Sequence, residues 1–336
     1  MKNTFSFLVL LGWAHLSLGQ GSLTPPGAPA PTMKSLSQVE PRIAITNTGF
    51  VSISQPGSYY LTTNISVNSG DGVVITTNRV TLDLNGFTIS STSPAGTGVG
   101  ININGGRSDI TILNGHVTGG VTNNAGVFNG PGFADGISYS GGVAANIHVS
   151  AVTVSGCRVN GIVLGNNHSS SVKSCVVYSV GGTGIQAASV SDSSAYQCNS
   201  GISADTVQNS YGQGIASFGI QAVTAENCYG QSTSGSGLAA SLAQNCYGTS
   251  SGAGIGLNAS VAQNCFGASG SSYGIYCDIA NTSRATSAIG TPLYAGYSAF
   301  LCVGSTSGAG PGINTYIANS CYGSPSVSAT FKYNMP

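Results

Sequence analysis

The stretch Ala225–Gly267, AENCYGQSTSGSGLAASLAQNCYGTSSGAGIGLNASVAQNCFG, contains Asn-Cys-Tyr/Phe-Gly three times, starting at Asn227, Asn245 and Asn264. A related copy, Asn209-Ser-Tyr-Gly, precedes the first of these. A second marker, Gly followed by a branched aliphatic residue, runs along the same region at Gly184-Ile185, Gly201-Ile202, Gly219-Ile220, Gly237-Leu238, Gly254-Ile255 and Gly274-Ile275. Both markers return at nearly constant intervals, and a fixed period of about 20 residues in a β-rich chain is the signature of a solenoid. Each period forms one turn of a coil, and the turns stack at about 4.8 Å, the spacing of hydrogen-bonded strands. In such a stack a corner that needs Gly, or an Asn that tolerates positive φ, needs it in every turn. Asn209, Asn227, Asn245 and Asn264 are therefore expected to form an amide ladder, as stacked Asn does in other cross-strand arrays.

Upstream the marker continues at wider, uneven intervals. Gly72-Val73, Gly100-Ile101 and Gly136-Ile137 stand much further apart than the later copies, which predicts turns with loops pushed outward. VTLDLNGFTI (Val80–Ile89) alternates apolar and polar residues around Asn85-Gly86, and Asp109–Gly119 repeats the design with Asn114-Gly115. No stretch of ten or more residues carries a helical stripe. The expectation is an all-β, single-stranded parallel solenoid over residues 43–325, with turns of about 17–25 residues and a C-terminal tail from 326 to 336.

Composition narrows the function classes. The 336 residues include 50 Gly, nine Lys or Arg and nine Asp or Glu, so charged side chains are 5% of the chain. Ordinary soluble domains carry about 25%. The apolar fraction, 41%, still suffices for a core. Thinly scattered Lys and Arg give no electrostatic footprint for nucleic acid. The N-terminus, MKNTFSFLVLLGWAHLSLGQG, has one Lys, an apolar run from Phe5 to Trp13, and small residues Ser17 and Gly19 before a cleavage point after Gly19. That order predicts a secretory signal over 1–19, too short to span a membrane. A Pro-rich extended arm is expected over 20–42. The protein is expected to be secreted, extracellular or at the cell surface, with the periplasm as the alternative, and to have no membrane span.

The Gly-Ile marker, the VTLDLNGFTI strand and the Asn-Cys corners resemble the right-handed parallel β-helix repeats of the pectate-lyase-like superfamily. Ser22–Arg42, the segment ISQPGSYYLTTNI (Ile53–Ile65) and the ending KYNMP (Lys332–Pro336) resemble one subgroup of it, exported bacterial β-helix proteins without an assigned activity. The resemblance implies a right-handed coil. It leaves activity open, because one fold hosts lyases, hydrolases, epimerases and binding proteins. Its hydrolytic members imply clustered Asp with Gly-His-Gly and Arg-Ile-Lys motifs. Neither motif is present, and Asn114-Gly115-His116 does not match.

Four residues of neighbouring early turns, Asp135, His148, Arg158 and His168, are the candidate reaction centre. The preferred reading makes them surface and turn residues, since Asp135 precedes Gly136 as Asp71 precedes Gly72. One position before the Asn corner stand Asp192, Gln208, Glu226, Gln244 and Gln263, with Lys173 one turn earlier. This column is expected to face outward, with Lys173 and Asp192 as an exposed ion pair. Asp192 and Glu226 make a poor acid pair because Gln208 lies between them. Cys175, Cys228, Cys246 and Cys265 share the next column with Ser194 and Ser210. They are read as buried thiols filling a corner rather than as disulfides, because parallel Cβ vectors about 4.8 Å apart exceed the ~3.5–4.5 Å a bridge prefers. No C-x-x-C pair or His at zinc spacing accompanies them, so no metal and no cofactor is expected.

Tyr211, Tyr229, Tyr247 and Phe266 follow the Cys column. Two readings stand: an internal stack that fills the coil, or an outward stripe on which sugar rings stack. The internal stack is preferred, with the following Gly taken as a tight bend over an inward ring. The expected function is a non-catalytic exported rod that binds polysaccharide or another surface component. The alternative is a polysaccharide lyase, hydrolase or epimerase with its site in the long early loops.

Overall fold

The computed structural model describes residues 40–141, 145–165 and 169–335. The signal segment, most of the arm, and His168 lie outside these residues. Among the described residues there is no helix, and every strand pairing is parallel except one small antiparallel hairpin, Thr122–Asn124 with Val127–Asn129. The chain forms a parallel β-solenoid of about 15 turns.

The core is built from columns. Val73, Ile101, Ile137, Ile162, Ile185, Ile202, Ile220, Leu238, Leu257, Ile275, Leu293 and Ile313 pair one above the other through successive turns, and all are fully buried. Burying each such side chain stabilises the fold by roughly 1.5–3 kcal/mol. All of these residues except Leu293, which follows Pro292, are preceded by Gly, and close backbone approach requires it. A Cβ on Gly72 would stand 2.7 Å from the Gly100 carbonyl oxygen, and one on Gly136 would stand 2.7 Å from that of Gly161. The register corrects one marker. Leu238 pairs with Leu257, so the repeat is Gly256-Leu257 and not Gly254-Ile255.

A second inward column changes size along the axis. Leu82, Ile112, Val149, Val172, Val190 and Val207 are followed by Ala225, Ala243, Ala262, Ala280, Ala299 and Ala318. The column thus shrinks from branched aliphatics to Ala from Ala225 onward. Lys332 occupies this column in the last turn. Its ammonium donates to the Val327 carbonyl oxygen at 2.7 Å, where the core meets solvent. Residues 327–333, expected as part of a tail, are thus a further strand, paired in parallel with Ile313–Asn319.

The repeated corner is a left-handed backbone position. Ser174, Asp192, Asn209, Asn227, Asn245, Asn264, Thr282, Leu301 and Ser320 all have φ between 47° and 54°. Asn is favoured there because its short polar side chain tolerates this region. The corner also corrects the phase of one turn. Gln208 pairs with Ser191, so Asp192 belongs to the corner column and Ser193, not Ser194, joins the Cys column. Lys173 likewise pairs with Ser191 and not with Asp192.

The Asn ladder forms as a chain of amides. Asn227 Nδ2 donates to Asn209 Oδ1 at 3.2 Å, Asn245 to Asn227 at 3.1 Å, and Asn264 to Asn245 at 2.8 Å. Asn209 Nδ2 extends it to Asp192 Oδ1 at 3.2 Å. The amides are exposed and bond to one another. Replacing Asn245 with Ala is therefore expected to cost about 1 kcal/mol, mainly through the positive φ. Asn245→Gly should cost close to nothing, and an equal loss for both in chemical denaturation would contradict this origin.

Candidate functional site

From the corner outward, side chains alternate strictly. Asn227 points out, Cys228 in, Tyr229 out and Gly230 in, and the same order holds at Asn245. The thiols fill the inside of the corner. Cys246 Sγ–H donates to the Gln244 carbonyl oxygen at 3.1 Å, across the corner residue, and Cys228 does the same to Glu226 at 3.0 Å. Ser193, Ser210 and Ser283 make the equivalent bond with Oγ at 2.7, 2.6 and 2.8 Å. The column thus needs a small donor that reaches back two residues, and Cys and Ser both supply it. All nine cysteines are free and buried.

Burial pushes the Cys175 thiol up to about 11 and those of Cys157, Cys198 and Cys277 to about 12. Cys228 and Cys265 are held up first by their hydrogen bonds to Cys246 and then by burial. Such thiols are inert. The native protein is expected to leave all nine unmodified by a thiol reagent near neutral pH, and to react at all nine once unfolded. Rapid labelling of Cys246 in the native state would contradict the burial.

The aromatic column faces solvent, contrary to the internal stack expected from the sequence. Tyr229 and Tyr247 are 38% and 40% exposed, and Tyr211 and Phe266 are half-buried. The inward position after each ring is Gly because the same turn's backbone returns close to it: a Cβ on Gly230 would meet the Gly237 carbonyl oxygen first and stand 3.0 Å from the Leu238 Cβ. Ring centroids follow the turns at 5.3, 4.8 and 4.6 Å. Tyr247 and Phe266 are parallel within 11°, whereas Tyr229 meets Tyr247 at 82°. At that step one ring crosses the edge of the next and its face is left uncovered by its neighbour. Tyr211 Oη donates to Gln231 Oε1 at 3.1 Å, tying its ring across to the next turn.

Amides and rings together bound a groove. Ser174, Asp192, Asn209, Asn227 and Asn245 form one wall, with Asp192 one turn in from the Ser174 end, Tyr211 and Tyr229 stand on the other, and the open space measures about 850 Å³. The stripe reaches further than the repeated motif. Tyr178 and Tyr196, two positions along the same outward strand face, stack at 5.4 Å and 9°. At the opposite end the Arg284 guanidinium lies 5.9 Å over the Phe266 ring. Tyr178 was missed from sequence because its turn lacks the Cys-Tyr-Gly corner, although its place two residues after Val176 puts it on the same face.

The early candidates do not converge. Asp135 Oδ1 accepts from the Asn160 backbone N–H at 3.0 Å and from Asn160 Nδ2 at 2.9 Å. Asp71 makes the same pair of bonds to Val99 N–H and Asn102 Nδ2, at 2.8 and 2.9 Å. This is a repeated bracing of one turn by the next. His148 is exposed on another strand, between Ser171 Oγ at 2.6 Å and Asn146 Oδ1 at 2.7 Å. Arg158 Nη1 donates to the Ala95 carbonyl oxygen at 3.1 Å. Gln208 Nε2 donates to Glu226 Oε2 at 3.1 Å, so Glu226 is bonded to the preceding turn. Among the described residues no three His, Cys, Asp or Glu stand close enough to share a metal ion, and no helix is long and apolar enough to cross a membrane.

The fold and groove define a parallel β-solenoid with an outward aromatic and amide stripe along its axis. No family model matches the chain, and no curated protein matches it. Among solved structures it is similar to the crystal structure of Dettilon tailspike protein, at 12% identity and a TM-score of 0.34, over 87% of this chain. The chain spans 61% of the length of that protein. The likeness concerns the fold, which the strand pairing establishes independently.

Proposed function

We propose that the protein is an exported rod that binds polysaccharide along the groove between the Asn ladder and the aromatic column. The observation that supports this reading is the outward column of Tyr211, Tyr229, Tyr247 and Phe266 beside the exposed amides. A solenoid buries its apolar columns inside, so a row of exposed rings contributes little to the core. Rings with a polar ladder alongside suit a ligand with both apolar faces and hydroxyl edges. Affinity electrophoresis through gels containing single polysaccharides tests it. Retardation by at least one glycan, lost in Tyr229→Ala, is expected; uniform migration through every gel would reject it. The alternative, a polysaccharide-cleaving enzyme in the early loops, gains no support from Asp135 or His148, whose polar atoms serve neighbouring turns.

Export rests on the basic, apolar, small order of residues 1–19. Secreted protein is expected to begin at Gln20 and, having lost Trp13, to lack tryptophan fluorescence. Mass spectrometry that recovers Met1 on the secreted form would refute it.

A further inference from the structure

We infer that the groove takes a linear, uncharged glycan lying along the solenoid axis with about one sugar opposite each turn, and that it discriminates against polyuronate chains. The inference rests on the glycan-binding reading above and adds the class of ligand. It is carried by the charge of the groove, the spare capacity of its amides and its repeat.

Asp192 is the only ionised residue in the lining, and no Lys or Arg lines it. Glu226 stands beside Asn227 in the adjacent outward column, between Gln208 and Gln244. Of the cations, Lys173 flanks the lining at Ser174 as Glu226 flanks Asn227, which leaves the groove net acidic, and Arg284 lies beyond it against Phe266. A polyuronate places a carboxylate on every sugar. Along this groove those carboxylates would pass Asp192 and Glu226 without a counter-charge between them. At about 5 Å in a water-like dielectric each facing pair weakens binding roughly fourfold.

The amides offer what a neutral chain needs instead. An Asn amide has two N–H donors and an oxygen with two lone pairs. In the ladder Asn227 and Asn245 each use one donor and one lone pair. That leaves one donor and one acceptor per turn for sugar hydroxyls. The repeat is commensurate as well, since turns recur at about 4.8 Å, close to the advance of one pyranose ring in an extended chain. The ring centroids step by 5.3 Å on the opposite wall, and by 4.8 and 4.6 Å where the aromatic column continues past it.

The test is a titration series with two sets of oligosaccharides of equal length: neutral linear glucan, mannan, xylan and galactan, and anionic oligogalacturonate and oligomannuronate. At low salt the best neutral chain is expected to bind the wild-type protein at least tenfold more tightly than either uronate. The double variant Asp192→Asn, Glu226→Gln should reduce that ratio to about threefold or less. Both substitutions install the residue that neighbouring turns already carry in the same column, so the fold is expected to persist, as a melt will show. Added salt should narrow the wild-type ratio and leave that of the variant unchanged. Equal or tighter binding of a uronate by the wild-type protein would overturn the inference while leaving the glycan-binding reading intact. Failure of every chain in both sets to bind would overturn both. A ratio untouched by the double variant would remove the carboxylates as its cause and overturn the selectivity.

Discussion

Replacing Tyr229 with alanine is expected to lower glycan affinity about thirtyfold or more while leaving the melting temperature almost unchanged. The stability half follows from position. Tyr229 is exposed, and its backbone pairs with the equivalent residues of the turns on either side. Surface substitutions that touch no special backbone feature usually stay within about 0.5 kcal/mol. The affinity half follows from geometry. Tyr229 lies on the groove wall between the Tyr211 and Tyr247 rings, at the step where the stack turns through 82°. Central aromatic anchors of binding sites commonly cost about 2 kcal/mol or more when truncated, which is the thirtyfold expected. Tyr229→Phe should keep most of the affinity if the ring face is what binds. A lowered melting temperature with unchanged affinity would return the ring to a structural role and leave the groove without its anchor.

Leu238→Ala is expected to have the largest effect on stability, a loss of about 3–4 kcal/mol. Leu238 is fully buried in the continuous aliphatic column, stacked between Ile220 and Leu257. Large-to-small changes at such sites lose transfer free energy and leave a cavity that the packed turns above and below can only partly close. A solenoid adds a second consequence. Its turns contact mainly their neighbours, so a weak turn separates the blocks on either side. Hydrogen exchange should show protection falling first around turns 220–257, and Cys228 and Cys246 should become reactive to thiol reagents before Cys157. A loss below about 1 kcal/mol, or a loss of protection spread evenly over the whole chain, would contradict the column as the element that joins the turns.

Much of this architecture was legible in the repeat. The regular return of the corner at Asn209, Asn227 and Asn245 sufficed for a stacked coil, because a corner with positive φ must recur wherever the chain bends in the same way. The ladder followed from the same stacking. The marker spacing misplaced one turn at Gly254-Ile255 because that sequence offers two Gly-aliphatic pairs in close succession, and only strand register separates them. Asp192 slipped by one position for a similar reason. Its turn has no Asn to mark the corner, and an Asp at a corner reads like the acidic or Gln residue that normally precedes it.

The aromatic column is the instructive miss. Cys228 inward and Tyr229 inward are incompatible with strand alternation, since neighbours on a strand face opposite ways. The local order Asn-Cys-Tyr-Gly therefore already contained the answer, once the thiol was placed inside. What suggested otherwise was Gly230, taken as a bend over a bulky ring. In the structure Gly230 is small because the Gly237 carbonyl, further along the same turn, occupies the space beside it, with Leu238 behind. By itself the sequence determined the coil, its period, its corners and its buried thiols, because these depend on dihedral preference and on identical residues meeting across each turn. Only the tertiary structure decided which side chains share the groove, that Tyr178 and Tyr196 extend its stripe, and that Asp135 and His148 serve different neighbours. Those relations depend on how far each turn's loops displace the chain before it rejoins the stack, and no local preference encodes that distance.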